Sequence, residues 1–165
     1  MWTAANRTTF APENNPEPVT TLYLAQAGPT RYFALLSPDP VEDETDEVRL
    51  FVDTNRNQGD PDSADRLYVI QRNGTAVVQP GVGTNGDLLT WEANASEVVT
   101  VGVEEAEGGY WIVELGIDTG AIPTLANPFA FMLQITDSVT VFTWPEEADP
   151  FVTADWQAVA NPVCP

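Results

Sequence analysis

The amino-acid sequence predicts an all-β domain, either a sandwich or a barrel. Between residues 18 and 144, short runs of alternating or β-branched residues are separated by Gly, Pro and Asn, which is typical of antiparallel strands joined by tight turns. Helix signals are nearly absent from this stretch. With 165 residues, 43% of them hydrophobic, the chain suffices for one core. We therefore expect a single domain over residues 1–160, and the start of a linker in the Pro-containing end, 161–165.

Each strand is assigned from its own apolar run, and the turns between the runs support the divisions. Asn73-Gly74 predicts a two-residue hairpin turn. Gly108-Gly109 gives the backbone freedom before the strand that follows. The predicted strands, in chain order, are 18–26, 30–37, 47–53, 66–72, 75–79, 87–91, 97–103, 109–117, 129–136 and 139–144.

Two of these strands show which face is buried, because successive side chains of a strand point to opposite sides of a sheet. Tyr110 and Glu114 share the outer face of the first of them. We expect the aromatic side chains of the inner faces to be core residues before they are ligand contacts. The inner faces consist of Trp111, Val113, Leu115 and Ile117 in one strand and of Phe129, Phe131, Leu133 and Ile135 in the other.

Acidic residues dominate the charge of the chain. It has 25 Asp and Glu residues against six basic ones and no His, which gives a formal net charge of -19. Nucleic acid and anionic membrane surfaces bind positive charge, so the composition disfavours both as partners. No stretch approaches the roughly 18–20 apolar residues that span a bilayer, so membrane insertion is not expected. Cations suit this charge, and a solvated acidic surface without a dedicated site is the alternative.

Oxygen-bearing side chains are concentrated in residues 53–65, directly after the apolar run that ends at Val52. If this segment curls, alternate side chains converge on one point, and a shell of about six to eight hard oxygen ligands suits calcium. Carboxylates crowded in this way repel one another unless a cation neutralises them. Ordinary turn residues are the alternative interpretation. The predicted calcium ligands are Asp53, Asn55, Asn57, Asp60, Asp62 and Asp65.

Other metal sites fit the sequence less well. The acidic segment is not an EF-hand, because Gln58 occupies its sixth position and Ala64 its twelfth. Zinc and haem iron are disfavoured, since the chain has no His and a single Cys, Cys164. Calcium is therefore the cofactor that the residues predict.

Four segments occur in a familiar order along the chain. The strand 46–53 leads into the acidic segment, Gly108-Gly109-Tyr110-Trp111-Ile112-Val113-Glu114 follows, and Phe129-Ala130-Phe131 and Phe142-Thr143-Trp144-Pro145 come last. In this order the chain resembles family 9 carbohydrate-binding modules and their DOMON-like relatives. The resemblance implies a two-sheet antiparallel β-sandwich of jelly-roll type, calcium stabilisation, and a sugar-facing surface on a secreted or cell-surface protein.

The sugar site of that family differs from the residues found here. Family members clamp a sugar between two Trp rings, one of them just before the calcium-loop strand, where this chain has only the acidic residues 42–44 and Val41. Arg49 stands where the resemblance leads us to expect a carboxylate, and Val69 where it leads us to expect an arginine. We therefore do not expect this chain to bind the reducing end of a glucan by the family's route.

Three other Trp residues are candidates for stacking on a sugar. Trp91, Trp144 and Trp156 lie near predicted strand ends, where loops gather, and Glu146 is a hydrogen-bonding neighbour. Packing in the core or at a strand end is the alternative for each ring.

These features favour a calcium-stabilised, non-catalytic, carbohydrate-binding-like module. Its partners would be an oligo- or polysaccharide and the neighbouring domains of a larger chain. A structural or adhesive domain of the same fold, acting as a spacer or assembly unit without sugar binding, is the alternative. An enzyme is disfavoured, because adjacent carboxylates such as Glu104 and Glu105 point to opposite faces of a strand. The sequence also has no His, no Lys and no Gly-x-Ser-x-Gly motif.

Overall fold

Two antiparallel sheets form a β-sandwich, which confirms the predicted fold class. The computed structural model describes residues 6–11, 19–39, 41–57, 61–84, 89–91, 99–120, 122, 129–137, 140–150 and 152–159. The predicted linker at 161–165 lies outside these residues. In the described part of the chain, no helix is long and apolar enough to cross a membrane.

Every predicted strand has a counterpart in the structure, with ends shifted by a few residues. The first and the last strand have no counterpart among the predicted ones. A short 3₁₀ helix covers Thr153–Asp155. The strands are β1 (Asn6–Phe10), β2 (Thr20–Ala27), β3 (Thr30–Pro38), β4 (Glu47–Asp53), β5 (Arg66–Gln71), β6 (Ala76–Thr84), β7 (Leu89–Trp91), β8 (Val99–Ala106), β9 (Tyr110–Asp118), β10 (Phe129–Asp137), β11 (Thr140–Trp144) and β12 (Gln157–Val159).

The strand order explains how distant parts of the chain meet. One sheet has five strands in the order β1-β2-β3-β9-β8, and the other has seven, in the order β11-β10-β4-β5-β6-β7 with β12 also paired to β10. One edge of β10 pairs with β4. Two strands share its other edge: β11 pairs with residues 133–137 of β10, and β12 pairs with residues 129–131. The last described strand, β12, therefore lies beside β11 at one end of the seven-stranded sheet.

The core lies between the two sheets, on the faces that the alternation of the sequence predicts. All eight side chains predicted to point inward from β9 and β10 are buried. The ring of Phe33, from the five-stranded sheet, meets the rings of Phe129 and Phe131 edge-on, at centroid distances of 6.0 and 5.6 Å. Edge-on aromatic contacts of this kind add to the stability gained from burying the apolar surface.

The outer face of the seven-stranded sheet is also covered at one end. Phe51 and Met132 point away from the main core, yet both are buried, because the C-terminal segment 148–159 folds back over them. Trp156 packs there against Phe51. This second apolar cluster fixes the position of the last strand and explains why β10 is buried on both faces.

The turn between β5 and β6 is a hairpin turn, as predicted, but it holds three residues, 72–74, and not two. The last hydrogen bond between the two strands before the turn runs from the Gln71 N–H to the Thr75 carbonyl oxygen (2.8 Å), so residues 72–74 form the turn. Gly74 has a φ of 84°, which glycine adopts without strain. The additional residue, Arg72, is buried through ion pairs with three carboxylates, and these contacts hold it within the turn.

Candidate functional site

The predicted calcium loop joins β4 to β5. Asp53 is the last residue of β4, and Asp65 directly precedes β5; both side chains are buried. Asp62 is half-buried, and Asn55 and Asn57 are exposed. The loop therefore brings these five predicted ligands into one segment, with two carboxylates in its interior. The sixth predicted ligand, Asp60, lies outside the described residues.

Hydrogen bonds within the loop converge on the Asp62 carboxylate. Its Oδ2 accepts hydrogen bonds from the Nδ2 atoms of Asn55 (3.0 Å) and Asn57 (2.7 Å), and its Oδ1 accepts one from the Ala64 N–H (2.7 Å). The two asparagines thus direct amide N–H groups toward the carboxylate. To contribute oxygen atoms to a metal ion, their side-chain amides would have to turn over.

Asp65 has an unusual protonation equilibrium. Burial first, and then the negative charges of Asp53 and Asp62, raise its pKa to about 7. Hydrogen bonds from the backbone N–H groups of Asp62 (2.8 Å) and Thr54 (3.3 Å) favour the carboxylate and only partly offset the effect of burial. A buried carboxyl group next to two further carboxylates has the donor chemistry of a hard cation site, so the loop residues fit calcium.

A second acidic site was not anticipated from the sequence. In the described part of the chain, Asp39, Asp46 and Asp137 can each direct one carboxylate oxygen so that the three oxygens lie within 4.8 Å of one another. Asp39 follows β3, Asp46 precedes β4 and Asp137 ends β10. These elements are far apart in the sequence, so only strand pairing could reveal that their ends meet.

Arg72 lies among these carboxylates and neutralises part of their charge. Its Nη1 donates to Oδ2 of Asp39 (2.7 Å) and to Oδ2 of Asp46 (3.0 Å). Its Nε and Nη2 donate to the two carboxylate oxygens of Glu105 (2.8 and 2.9 Å), a bidentate pair. The guanidinium also lies over the Trp111 ring, 5.4 Å from its centroid. We call Arg72, Asp39, Asp46, Glu105 and Asp137 the Arg72 cluster.

The protonation equilibria in the Arg72 cluster reflect burial and pairing. Burial raises the pKa of Asp39, which Arg72 only partly counteracts. The hydrogen bonds from Arg72 lower the pKa of Glu105, whose side chain remains 58% exposed. The hydrogen bond to Glu105 raises the pKa of Arg72, which is already high for an arginine, so the guanidinium stays charged.

The structure describes the side chains of two of the three Trp residues proposed as sugar platforms, and neither ring is fully exposed. Trp156 is 5% exposed, and its Nε1 donates to the Asp149 carbonyl oxygen (3.0 Å). Trp144 is half-buried between the sheets, 5.2 Å from the Phe131 ring. The burial of Trp156 does not fit a sugar-stacking role, because the C-terminal segment folds its ring onto Phe51. Glu146 is exposed in the turn after β11, and the side chain of Trp91 lies outside the described residues.

Polar side chains occupy the part of the outer face of the seven-stranded sheet that the C-terminal segment leaves uncovered. Because Val48 and Leu50 are buried in the core, Arg49 between them points outward. Its register partners are Gln134 on β10 and Val69 on β5. The two positions where the resemblance leads us to expect sugar-contacting residues, 49 and 69, are therefore directly paired on an outer surface.

This surface continues toward the hairpin turn. Glu47 forms an ion pair with Arg49 (2.6 Å) and is the register partner of Gln71. We call Glu47, Arg49, Gln71 and Gln134 the polar face. Gln71 also lines an adjoining open cleft of about 500 Å³. The residues around this cleft are Glu42, Asp43, Glu44, Asp46, Gln71, Arg72 and Asn73.

The sequence matches no protein-family model and no curated protein. The structure is similar to that of a family 9 carbohydrate-binding module from Caldicellulosiruptor kristjanssonii in complex with cellotriose, with a TM-score of 0.72 and 15% identity over 96% of this chain and 83% of that one. A second structure, of a family 9 module from the same organism in complex with glucose, has a TM-score of 0.67 and 14% identity over 96% of this chain and 85% of that one. The chain therefore has the β-sandwich fold of family 9 carbohydrate-binding modules.

Proposed function

We propose that the chain is a non-catalytic, carbohydrate-binding-like module of a secreted or cell-surface protein. The observation on which this rests is its fold, which it shares with modules solved with cellotriose and with glucose. Cello-oligosaccharides are therefore the first ligands to test. The extracellular location follows from the resemblance of the sequence to such modules.

The polar face is the surface that best fits a sugar. Its guanidinium, carboxylate and amide groups are the kinds of side chain that hydrogen-bond to sugar hydroxyl groups. The Arg49 side chain is 42% exposed and therefore accessible to a ligand. The adjoining cleft adds Asn73 and further carboxylates along the same edge. We infer that a sugar is held here mainly through hydrogen bonds, since the described residues provide no open Trp ring.

Calorimetric titration with cellotriose and glucose tests this proposal. We expect Arg49→Ala to weaken cellotriose binding at least about tenfold, because hydrogen bonds to a charged group contribute roughly 1.5–3 kcal/mol. Arg7→Ala is the matched control, because Arg7 is an exposed arginine on β1 of the other sheet. Equal losses in both variants would rule out the polar face, and the absence of binding to any glycan on an array would rule out the sugar-binding function.

We also propose that calcium binds the loop between β4 and β5 and stabilises the fold. Buried Asp53 and Asp65, with Asp62 beside them, supply the oxygen ligands and the negative charge for a hard cation. The chelator-treated protein should melt at a higher temperature when calcium is added, since a ligand at 100 times its Kd stabilises the folded state by about 2.7 kcal/mol. Asp65→Asn should remove this response and Asp155→Asn, an exposed control on the 3₁₀ helix, should keep it. A wild-type melting temperature that ignores calcium would refute the calcium site.

A structural or adhesive domain without sugar binding is the second candidate. One observation favours it: Trp156 is buried against Phe51 and Trp144 is half-buried, so the described residues provide no fully exposed Trp ring on which a sugar could stack. The glycan array separates the two candidates, because a structural or adhesive domain should be folded and respond to calcium but should bind no glycan on the array.

A further inference from the structure

Arg72 is bonded in the manner of a metal ion in a cage of oxygen atoms. Its guanidinium has five N–H groups and no acceptor, and hydrogen bonds involve all three of its nitrogens. Besides the carboxylates of Asp39, Asp46 and Glu105, it donates to the carbonyl oxygens of Val41 (3.1 Å) and Asp39 (3.1 Å). Every atom that contacts the guanidinium through these bonds is an oxygen.

The same set of oxygens matches the preferences of a hard divalent cation. Calcium takes six to eight oxygen ligands from carboxylates and main-chain carbonyl groups. Two buried carboxylates, Asp39 and Asp46, and the two carbonyl groups already converge on Arg72. Asp137 brings a third carboxylate oxygen within 4.8 Å of one oxygen each of Asp39 and Asp46. The exposed Glu105 has the freedom to rotate toward an ion.

The burial of this site makes a cation obligatory. Asp39 and Asp46 are 3% and 1% exposed, and a buried carboxylate without a positive partner is strongly destabilising. Arg72 is 6% exposed and is covered on one side by the Trp111 ring. Its position in the turn between β5 and β6 makes the cation part of the chain, so it cannot be lost to a chelator.

We propose that Arg72 is the built-in cation of a site with the ligand chemistry of a calcium site. In the wild-type protein the guanidinium closes this site to metals, and its replacement by a neutral side chain opens the site to one divalent or trivalent ion. This inference does not depend on the proposed function or on the calcium loop, because it concerns the difference between wild type and an Arg72 variant.

Arg72→Gln, titrated with terbium as a calcium analogue and with calcium itself, tests the proposal. We expect the variant to bind one ion more than the wild type, measured by calorimetry, and to show additional terbium luminescence excited through tryptophan, because Trp111 adjoins the site. The added ion should be lost in the double variant Arg72→Gln/Asp39→Asn. Arg49→Gln, which removes the same charge from the polar face, should bind as many ions as the wild type.

The outcomes distinguish the proposal from a general charge effect. A folded Arg72→Gln that binds only as many ions as the wild type would overturn it, and so would an equal gain by Arg49→Gln. If Arg72→Gln does not fold in chelator, circular dichroism should show that calcium restores the β-sandwich while sodium at equal ionic strength does not. A variant that remains unfolded in calcium would show that these oxygens do not form a cation site.

Discussion

The ring of Trp156 packs against the ring of Phe51, with centroids 5.9 Å apart. Phe51 lies on the outer face of β4, so this contact holds the C-terminal segment over the seven-stranded sheet. The segment covers an apolar patch beside the polar face. The same sheet surface thus holds a buried part that stabilises the fold and the polar face that we propose for ligand contact.

Removing this ring should destabilise the domain strongly. Because burial of a Trp side chain is lost and a cavity remains, Trp156→Ala should lower the free energy of unfolding by about 3–5 kcal/mol. Urea denaturation followed by circular dichroism measures the change. Val152→Ala, a nearby substitution of a 42% exposed side chain, is the control and should change stability by less than about 0.5 kcal/mol. A Trp156→Ala variant as stable as this control would show that the C-terminal segment does not fix the sheet.

Alternation along the chain was enough to predict an all-β domain and its inner faces, and the resemblance to family 9 carbohydrate-binding modules implied the sandwich. The inward set of β9, from Trp111 to Ile117, is buried because the pattern repeats with a period of two along a strand whose other face is exposed at Glu114. β1 and β12 were missed. β12 has only three residues, Gln157–Val159, and depends on pairing with β10 along residues 129–131, so its own sequence carries little strand signal.

The candidate sites could be predicted only where the residues are close in sequence. The acidic loop spans residues 53–65, and its alternating oxygen side chains indicated a common location. The Arg72 cluster joins residues that are 33 and 26 positions apart, Arg72 with Asp39 and with Asp46, and no local pattern marks it. The burial of Trp156 could not be predicted for the same reason, because it depends on the C-terminal segment packing against Phe51 of β4, which is distant in sequence.

Replacing Arg72 by lysine should be costly although the charge is kept. A lysine ammonium cannot form the bidentate pair with Glu105 and at the same time reach Asp39 and Asp46, because it lacks the planar fork of the guanidinium. Removing one partner of a buried ion pair costs roughly 3–5 kcal/mol. Because Arg72→Lys keeps the charge and loses only part of the pairing, we expect it to lower the free energy of unfolding by about 2–4 kcal/mol. Urea denaturation is the measurement.

Arg49→Lys is the matched control for this prediction. The Arg49 side chain is 42% exposed and pairs with Glu47 on the surface, and surface ion pairs contribute about 0–1 kcal/mol. Similar losses in the two lysine variants would contradict the view that the oxygen cage around Arg72 requires a guanidinium.

The stability of the metal-free protein should fall as the pH rises from about 4 to about 7. Burial raises the pKa of Asp65 from 3.8 to about 7, so in this range the folded state binds more protons than the unfolded state. The free energy of unfolding therefore decreases with increasing pH. Below pH 4 the carboxyl group is protonated in both states and this cost is absent.

Melting temperatures measured in chelator at a series of pH values test this dependence. Asp65→Asn removes the titrating group and should flatten the part of the curve between pH 4 and 7, whereas Asp155→Asn, an exposed control, should leave it unchanged. If the Asp65→Asn curve keeps the full wild-type slope, other acidic residues, and not Asp65, are responsible for it.

Gly81 should be essential for the close packing of the acidic loop against β6. A Cβ atom at this position would overlap the carbonyl oxygen of Asp62, and the Gly81 N–H donates to the carbonyl oxygen of Asp65 (3.1 Å). Gly81→Ala must therefore push the loop away from the strand, and overpacking of this kind costs about 1–3 kcal/mol. We expect it to lower both the free energy of unfolding and the calcium-dependent rise in melting temperature.

Gly102→Ala provides the comparison, because a Cβ atom there would meet the Glu114 side chain at an ordinary contact distance of 3.9 Å. In a strand that tolerates the added methyl group, replacing glycine stabilises a protein by about 0.4–1 kcal/mol through the unfolded state. Gly102→Ala should thus be neutral or slightly stabilising and should keep the calcium response. If Gly81→Ala is also neutral and keeps the calcium response, then the close contact between the loop and β6 is not needed to position the buried carboxylates of the loop.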